Sequence, residues 1–206
     1  MKNELFQNIT DVIETLDTNT ISEDRKVILK QLVDYIKQKV GAKQSIRLNF
    51  ICTHNSRRSH LSQIWAQTMA AYYGVNQVFC YSGGTEATAM FPKVGETLTN
   101  QGFKISKLSE ADNPVYSIKF SENEASVIAF SKTYDDVFNP TSAFAAIMTC
   151  SSADEGCPMV FGCDKRIAIT YEDPKKSDGT PQQTETYLER SLQIATEMKF
   201  VFASIN

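Results

Sequence analysis

Apolar positions in the first part of the chain recur every three to four residues, the period of an amphipathic helix. Leu5, Ile9, Ile13 and Leu16 share one face, and Val27, Leu29, Leu32, Val33, Ile36 and Val40 share another. Ser22, followed by Glu23 and Asp24, is a helix start signal, and Gly41 is a stop. The pattern predicts a helical hairpin over residues 1–44. Two such helices bury little apolar surface alone, so they are expected to pack on the rest of the chain or on a second subunit.

From Ser45 the pattern shortens to that of strands. Ile46, Leu48, Phe50 and Ile51 form an apolar strand that runs into the polar stretch CTHNSRRS and then a helix over Ser59 to Tyr73. A second strand, Val78 to Tyr81, ends at Ser82-Gly83-Gly84, and Pro92 to Gln101 reads as a helix stopped by Gly102. Further strands are expected at Ser126–Phe130, Phe144–Met148 and Ile167–Thr170. A last helix over Gln182 to Ser204 carries Tyr187, Leu188, Leu192, Ile194, Ala195, Met198 and Val201. Strands alternating with helices predict an α/β fold: an open parallel sheet of about four strands flanked by helices. The stretch from Asp112 to Asn139 has short apolar runs and clustered polar residues, and reads as a lid or an inserted hairpin.

Composition narrows the function classes. With 206 residues, 42% hydrophobic and 22% charged, the chain has the makeup of an ordinary globular domain rather than a disordered or repetitive one. A net charge of −3 gives no reason to expect nucleic acid or an anionic membrane as partner. No run approaches the ~18 apolar residues of a membrane span. The start lacks a basic end and an apolar block, so a cytoplasmic address is expected. Five cysteines are too sparse and too odd in number for a disulfide scaffold. Any with a task are catalytic, redox-active or metal-binding.

In an open parallel sheet, ligands bind outside the carboxyl ends of the strands. The loop after the first strand, Cys52-Thr53-His54-Asn55-Ser56-Arg57-Arg58-Ser59, places a cysteine at the strand end and an arginine where the next helix begins. Backbone N–H groups of such a loop and the helix N-terminus can converge on one tetrahedral oxyanion, while a guanidinium grips two of its oxygens. The same field favours a thiolate, the nucleophilic form of cysteine.

These residues resemble the low-molecular-weight protein tyrosine phosphatases and, more closely, the thioredoxin-coupled arsenate reductases built on the same fold. The family loop is Cys, five residues, Arg, Ser, which CTHNSRRS fits. The resemblance implies that Cys52 is the nucleophile, that Arg58 with Thr53, His54, Asn55, Ser56, Arg57 and Ser59 cradles the oxyanion, and that Asn55 holds the loop in shape. His54 departs from the family's usual glycine. Asp173-Pro174 sits where the family carries its general acid, which would protonate the leaving oxygen. The resemblance covers roughly Ile46 to Val201, and assigns residues 45–206 as the catalytic domain.

Phosphatase and arsenate reductase share the first thiolate attack, so a second cysteine set separates them. Cys150 and Cys157, the latter followed by Pro158, match in spacing the pair that thioredoxin-coupled arsenate reductases carry here. The resemblance implies that Cys150 attacks Cys52, that Cys157 then attacks Cys150, and that thioredoxin reduces the resulting disulfide. Seven residues of regular helix would part the two Cα atoms by ~10.5 Å, against the 4.4–6.8 Å or so of a disulfide. The segment must be a loop or must melt on oxidation, and Gly156 with Ser151-Ser152-Ala153-Asp154 is compatible with mobility.

The expected function is therefore arsenate reduction, with phosphotyrosine or aryl phosphate hydrolysis as the alternative. For that alternative, Tyr116, Phe120, Tyr134 or Phe138 would supply an aromatic rim. No cofactor is implied beyond electrons from a thioredoxin-like reductant. Cys80 reads as core, Cys163 has no assigned role, and the cysteine spacings are not those of common zinc sites.

Overall fold

A computed structural model describes residues 4–156 and 159–205. Its parallel sheet is built from β1 (Ile46–Cys52), β2 (Val78–Gly84), β6 (Phe144–Met148) and β7 (Cys163–Ala168), in the order β2-β1-β6-β7. Helices α3 (Arg58–Tyr72), α4 (Pro92–Asn100) and α6 (Gln183–Ala203) flank it. All residues of β6 are buried, as are all but Arg47 of β1, which is the apolar run expected of central parallel strands. The four-stranded parallel sheet and the flanking helices are as the sequence predicts.

The chain order leaves β1 for β2 on one side and later returns to β6 on the other. This reversal opens a crevice at the carboxyl ends of β1 and β6, the usual ligand position in such sheets. The register brings the strand ends level: Cys52 pairs with Gly84, and Ile51 with Met148. Cys52 and Cys150 thus leave adjacent strands on the same edge.

Between α4 and β6 the chain forms a separate antiparallel sheet of β3 (Lys104–Lys107), β4 (Tyr116–Lys119) and β5 (Val127–Ala129). The strand expected at Ser126–Phe130 is real but belongs here, not to the parallel sheet. Its run is short and half-buried (Val127 and Ala129 in, Ile128 partly out), which is the alternation of an antiparallel edge strand. The segment 112–139 is therefore mostly inserted sheet and return loop.

At the N-terminus lie α1 (Gln7–Thr15) and α2 (Glu23–Gly41). Ser22 caps α2, its Oγ accepting the N–H of Arg25 at 3.3 Å. Ile9, Ile13, Leu29, Leu32 and Ile36 are wholly buried in the same apolar core as Leu48, Trp65 and Met198. Each such side chain contributes about 1.5–3 kcal/mol, so this pair of helices is fastened to the sheet through α6 and, from α2, directly to β7 and β1. Two positions depart from the expected face: Val27 is 63% exposed and Val40 44% exposed. Leu29, Leu32, Val33 and Ile36 define the buried stripe, from which Val27 is turned away and Val40 lies past its end. Leu188 of α6 is likewise 39% exposed.

Candidate active site

The loop from Cys52 to Arg58 is held from outside by its carbonyls. Those of Cys52 and Thr53 accept the N–H groups of Thr85 and Glu86 at 3.1 and 2.8 Å, and that of Ser56 accepts Phe91 at 3.0 Å. The His54 carbonyl accepts the hydroxyls of Ser131 and Thr88 at 2.9 and 3.1 Å. A trans peptide points its N–H opposite to its carbonyl. The N–H groups of Thr53, His54, Asn55 and Arg57 are accordingly directed to the inner side of the loop. A set of inward N–H groups beside a helix start is an anion cradle.

Asn55 sets the turn. Its backbone is left-handed (φ 43°), a conformation that asparagine tolerates better than most side chains. Its Nδ2 donates to Ser59 Oγ at 2.8 Å, and its Oδ1 accepts the N–H of Lys132 at 2.9 Å. Ser59 Oγ lies 3.1 Å from Cys52 Sγ. Ser59 Oγ, accepting from Asn55, keeps its hydrogen and one lone pair, so it can donate to a Cys52 thiolate or accept from the thiol. Gly84 allows the close fit: a Cβ there would lie 2.6 Å from the Thr53 carbonyl oxygen and 2.7 Å from the Asn55 nitrogen.

Both loop arginines turn toward the segment that follows β7. Arg58 donates to the Tyr171 carbonyl at 3.0 Å and to Asp173 Oδ2 at 2.5 Å. Its Nε is buried and has no acceptor among the described residues, a donor left over for a ligand. Arg57 donates to Tyr187 Oη at 2.5 Å and to Asp178 Oδ2 at 2.6 Å, with its guanidinium 4.1 Å from the Phe91 ring centroid. Hydrogen bonds from Tyr187 and Gln183, with the Arg57 charge, hold the Asp178 carboxyl below its ordinary range despite partial burial. Asp173 and Asp178 bracket a 3-10 turn, Pro174–Ser177, so two ion pairs clamp that turn onto the loop.

Cys52, His54, Ser56, Arg57, Arg58 and Asp173 line one narrow cleft, and no aromatic ring is among them. His54 sits at its mouth with Nδ1 3.2 Å from Glu86 Oε2. Of the aromatic residues expected as a rim, Phe120 is buried and Tyr116 belongs to the antiparallel sheet. Phe138 packs on Phe130 and Tyr81. Tyr134 packs against the small apolar cluster that contains Cys52 and Cys150.

Cys150 is buried in that cluster, with Sγ 3.4 Å from Thr53 Oγ1 and 3.3 Å from the Ala153 N–H. It precedes a short helix, α5 (Ser151–Gly156). Cys157 and Pro158 lie outside the described residues. Cys80 is core, and burial pushes its thiol far above the ordinary range. Among the described residues, no group of His, Cys, Asp and Glu could hold a metal ion.

Several supports have no sequence signal. Lys132 is 2% exposed, beneath the loop that its own backbone N–H helps to hold, and burial lowers its ammonium to about 8. His60 is wholly buried beside Ser82, and burial pulls it down to about 3, which leaves it neutral. Tyr187 and Asp178 carry no mark in the sequence either: an aromatic in a helix and an aspartate in a turn look like packing and turn chemistry until Arg57 is seen against them.

The family model for low molecular weight phosphotyrosine protein phosphatase matches residues 47–134. A curated arsenate reductase of Bacillus subtilis is 28% identical over 141 residues, 68% of this chain and 83% of that one. One from Bacillus licheniformis is 24% identical over 144 residues, with the same coverage. Among solved structures, an arsenate reductase in the phosphate binding state superposes with a TM-score of 0.50 at 17% identity, covering 78% of this chain and 99% of that one. The YwlE arginine phosphatase, as a mutant with a phosphorylated active-site serine, superposes at 0.51 with 14% identity over 77% and 94%. Both structural likenesses speak to the fold. These findings make the strand, loop and helix around Cys52 similar to those of the low molecular weight phosphotyrosine protein phosphatase family and of the arsenate reductases.

Proposed function

We propose that the chain is an arsenate reductase that passes electrons through a cysteine relay. The observation that carries this reading is the position of Cys150, buried with its sulfur 3.4 Å from Thr53 Oγ1 in the loop that Cys52 opens. A phosphatase returns its cysteinyl phosphate to water and needs no second thiol there. The cleft also lacks an aromatic wall for a phosphotyrosine ring, which favours a small inorganic oxyanion.

In this reading arsenate enters the cradle of inward N–H groups and takes over the Arg58 guanidinium. Asp173 is freed from that ion pair as it does so, and is placed to protonate the departing oxygen. Cys52 thiolate attacks arsenic, and water leaves. Cys150 thiolate then attacks Cys52 Sγ. The S–As bond breaks with its electron pair going to arsenic, which leaves as arsenite, and a Cys52–Cys150 disulfide remains. Cys157 attacks Cys150 Sγ and expels Cys52 as thiolate. A thioredoxin-like dithiol reduces the Cys150–Cys157 disulfide. The six residues between the two cysteines form α5, and in this reading that helix unwinds for the disulfide to form.

The test is NADPH consumption with thioredoxin, thioredoxin reductase and arsenate, run beside hydrolysis of an aryl phosphate. Sustained arsenate-dependent turnover that disappears in Cys157→Ser supports the relay. Aryl phosphate hydrolysis with no arsenate turnover would make the protein a phosphatase, the activity of the family whose model matches residues 47–134.

A further inference from the structure

We infer that the N-terminal helices reach into the active site through Arg25, a positioning residue for the oxyanion-binding arginine. The inference rests on the role proposed above for Arg58. Arg25, in the first turn of α2, makes a two-pronged ion pair with Glu197 of α6, Nε to Oε1 at 2.9 Å and Nη2 to Oε2 at 2.8 Å. Glu197 Oε2 also accepts the Tyr171 hydroxyl at 2.7 Å, and the Arg25 guanidinium lies 5.0 Å from the Tyr171 ring centroid.

Tyr171 is thereby fixed at ring and hydroxyl from outside the site, while its backbone works inside it. Its carbonyl accepts from Arg58 at 3.0 Å. Its N–H donates to the Thr149 carbonyl at 3.1 Å, and Thr149 in turn donates its N–H to Ile51, the residue before Cys52, at 2.7 Å. One side chain of α2 thus sets the residue that links Arg58, the end of β6 and the start of the Asp173 turn.

Stability alone is a poor explanation for this arrangement. Taking two charges out of water costs much of what their attraction returns, and apolar residues of the same size commonly hold such a place as well. A fork between guanidinium and carboxylate instead supplies fixed geometry. Here that geometry is delivered to the one residue whose carbonyl aims Arg58.

The probe is inorganic phosphate, read as protection of Cys52 against alkylation by iodoacetamide and followed at the Cys52 peptide by mass spectrometry. Arg25→Gln is expected to raise the phosphate concentration for half-protection by about tenfold, the size of coupling usual for residues that share a network. Arg25→Lys keeps the charge but not the fork, and should fall between. Lys199→Ala is the control. Lys199 ties α6 to the N-terminal segment at the Ile13 and Leu16 carbonyls, 2.8 and 2.7 Å, without touching Tyr171. It should lower the melting temperature and leave phosphate protection unchanged.

Half-protection within twofold of the unaltered chain in folded Arg25→Gln would overturn the inference, as would an equal rise in Lys199→Ala. If Arg25→Gln does not fold, Arg25→Lys against Lys199→Ala decides on the same terms. Absence of protection in the unaltered chain would overturn both this inference and the oxyanion-loop reading, and is the outcome that marks the latter as the one at fault.

Discussion

The two cysteine-bearing segments at the carboxyl edge of the sheet are built on opposite principles. The Cys52 loop is tied down at four carbonyls, at the Asn55 side chain and at both arginines, so its backbone is held in place and, in the proposed reading, only the Arg58–Asp173 ion pair gives way to an anion. The Cys150 segment is a single short helix with fewer ties: the Asp154 N–H to the Cys150 carbonyl at 3.0 Å, an ion pair from Arg166 of β7 to Asp154 at 2.5 Å, and Cys150 Sγ against Thr53 Oγ1 at 3.4 Å. A site that stabilises a transition state gains from preorganisation, whereas a thiol that must travel to a second partner gains from a low cost of opening. On the proposed relay, the contrast is the structural form of a reaction divided between chemistry on an anion and transfer of electrons.

The largest effect should come from the rigid half. Cys52→Ser removes the proposed nucleophile from a cradle that is otherwise intact, so both arsenate turnover and aryl phosphate hydrolysis should fall by about 10⁴-fold or more. Phosphate affinity should survive, as a phosphate titration by calorimetry would register. Loss of binding together with activity would mean that the sulfur itself organises the loop.

Next comes the mobile half. Cys150→Ser should abolish multiple-turnover arsenate reduction while sparing hydrolysis of an aryl phosphate, because only the former needs a second thiol. Equal loss of both, in parallel steady-state assays, would show that Cys150 belongs to the rigid half after all.

This division was only partly legible in the sequence. Cys52 and Arg58 could be singled out because strand, loop and helix follow one another locally, and the apolar run Ile46 to Ile51 marks where the loop must start, whereas Asp173 was named only through the family resemblance. What holds the loop could not. Asn55 was named from the resemblance, but its partners were not: Thr88, Ser131 and Lys132 meet the loop only because the chain leaving the inserted antiparallel sheet returns beside the end of β2, a long-range consequence that no local period encodes. The strand at Ser126–Phe130 was visible as a strand, yet its sheet was not, since pairing partners depend on topology rather than on pattern. The N-terminal helices were legible from period and from the Ser22 cap, while the reach of Arg25 to Tyr171 rests on contacts that join α2, α6 and the turn after β7.

Gly84 tests how tight the rigid half is. An added methyl would lie 2.3 Å from the Glu86 carbonyl oxygen and 2.6 Å from that of Thr53, both backbone atoms that cannot step aside alone. Gly84→Ala should therefore displace the loop and lower both activities by about 10²-fold, with a loss of about 1–3 kcal/mol in a denaturant melt. Stability lost with activity retained would show that the loop has slack.

Gly156 tests the mobile half in the opposite sense. It ends α5, and a methyl group there meets nothing within 4 Å, so Gly156→Ala introduces no clash. It does stabilise the helical form, by about 0.5–1 kcal/mol. If the Cys150–Cys157 disulfide forms only from the unwound segment, that stabilisation lowers the unwound population and slows the relay about two- to fivefold. Aryl phosphate hydrolysis, which never opens α5, should not change. Rapid-quench measurement of disulfide formation after a single arsenate turnover separates the two rates. An unchanged relay rate in Gly156→Ala would mean that α5 is already open when Cys150 reacts, and the cost of opening would then lie in the approach of Cys150 to Cys52.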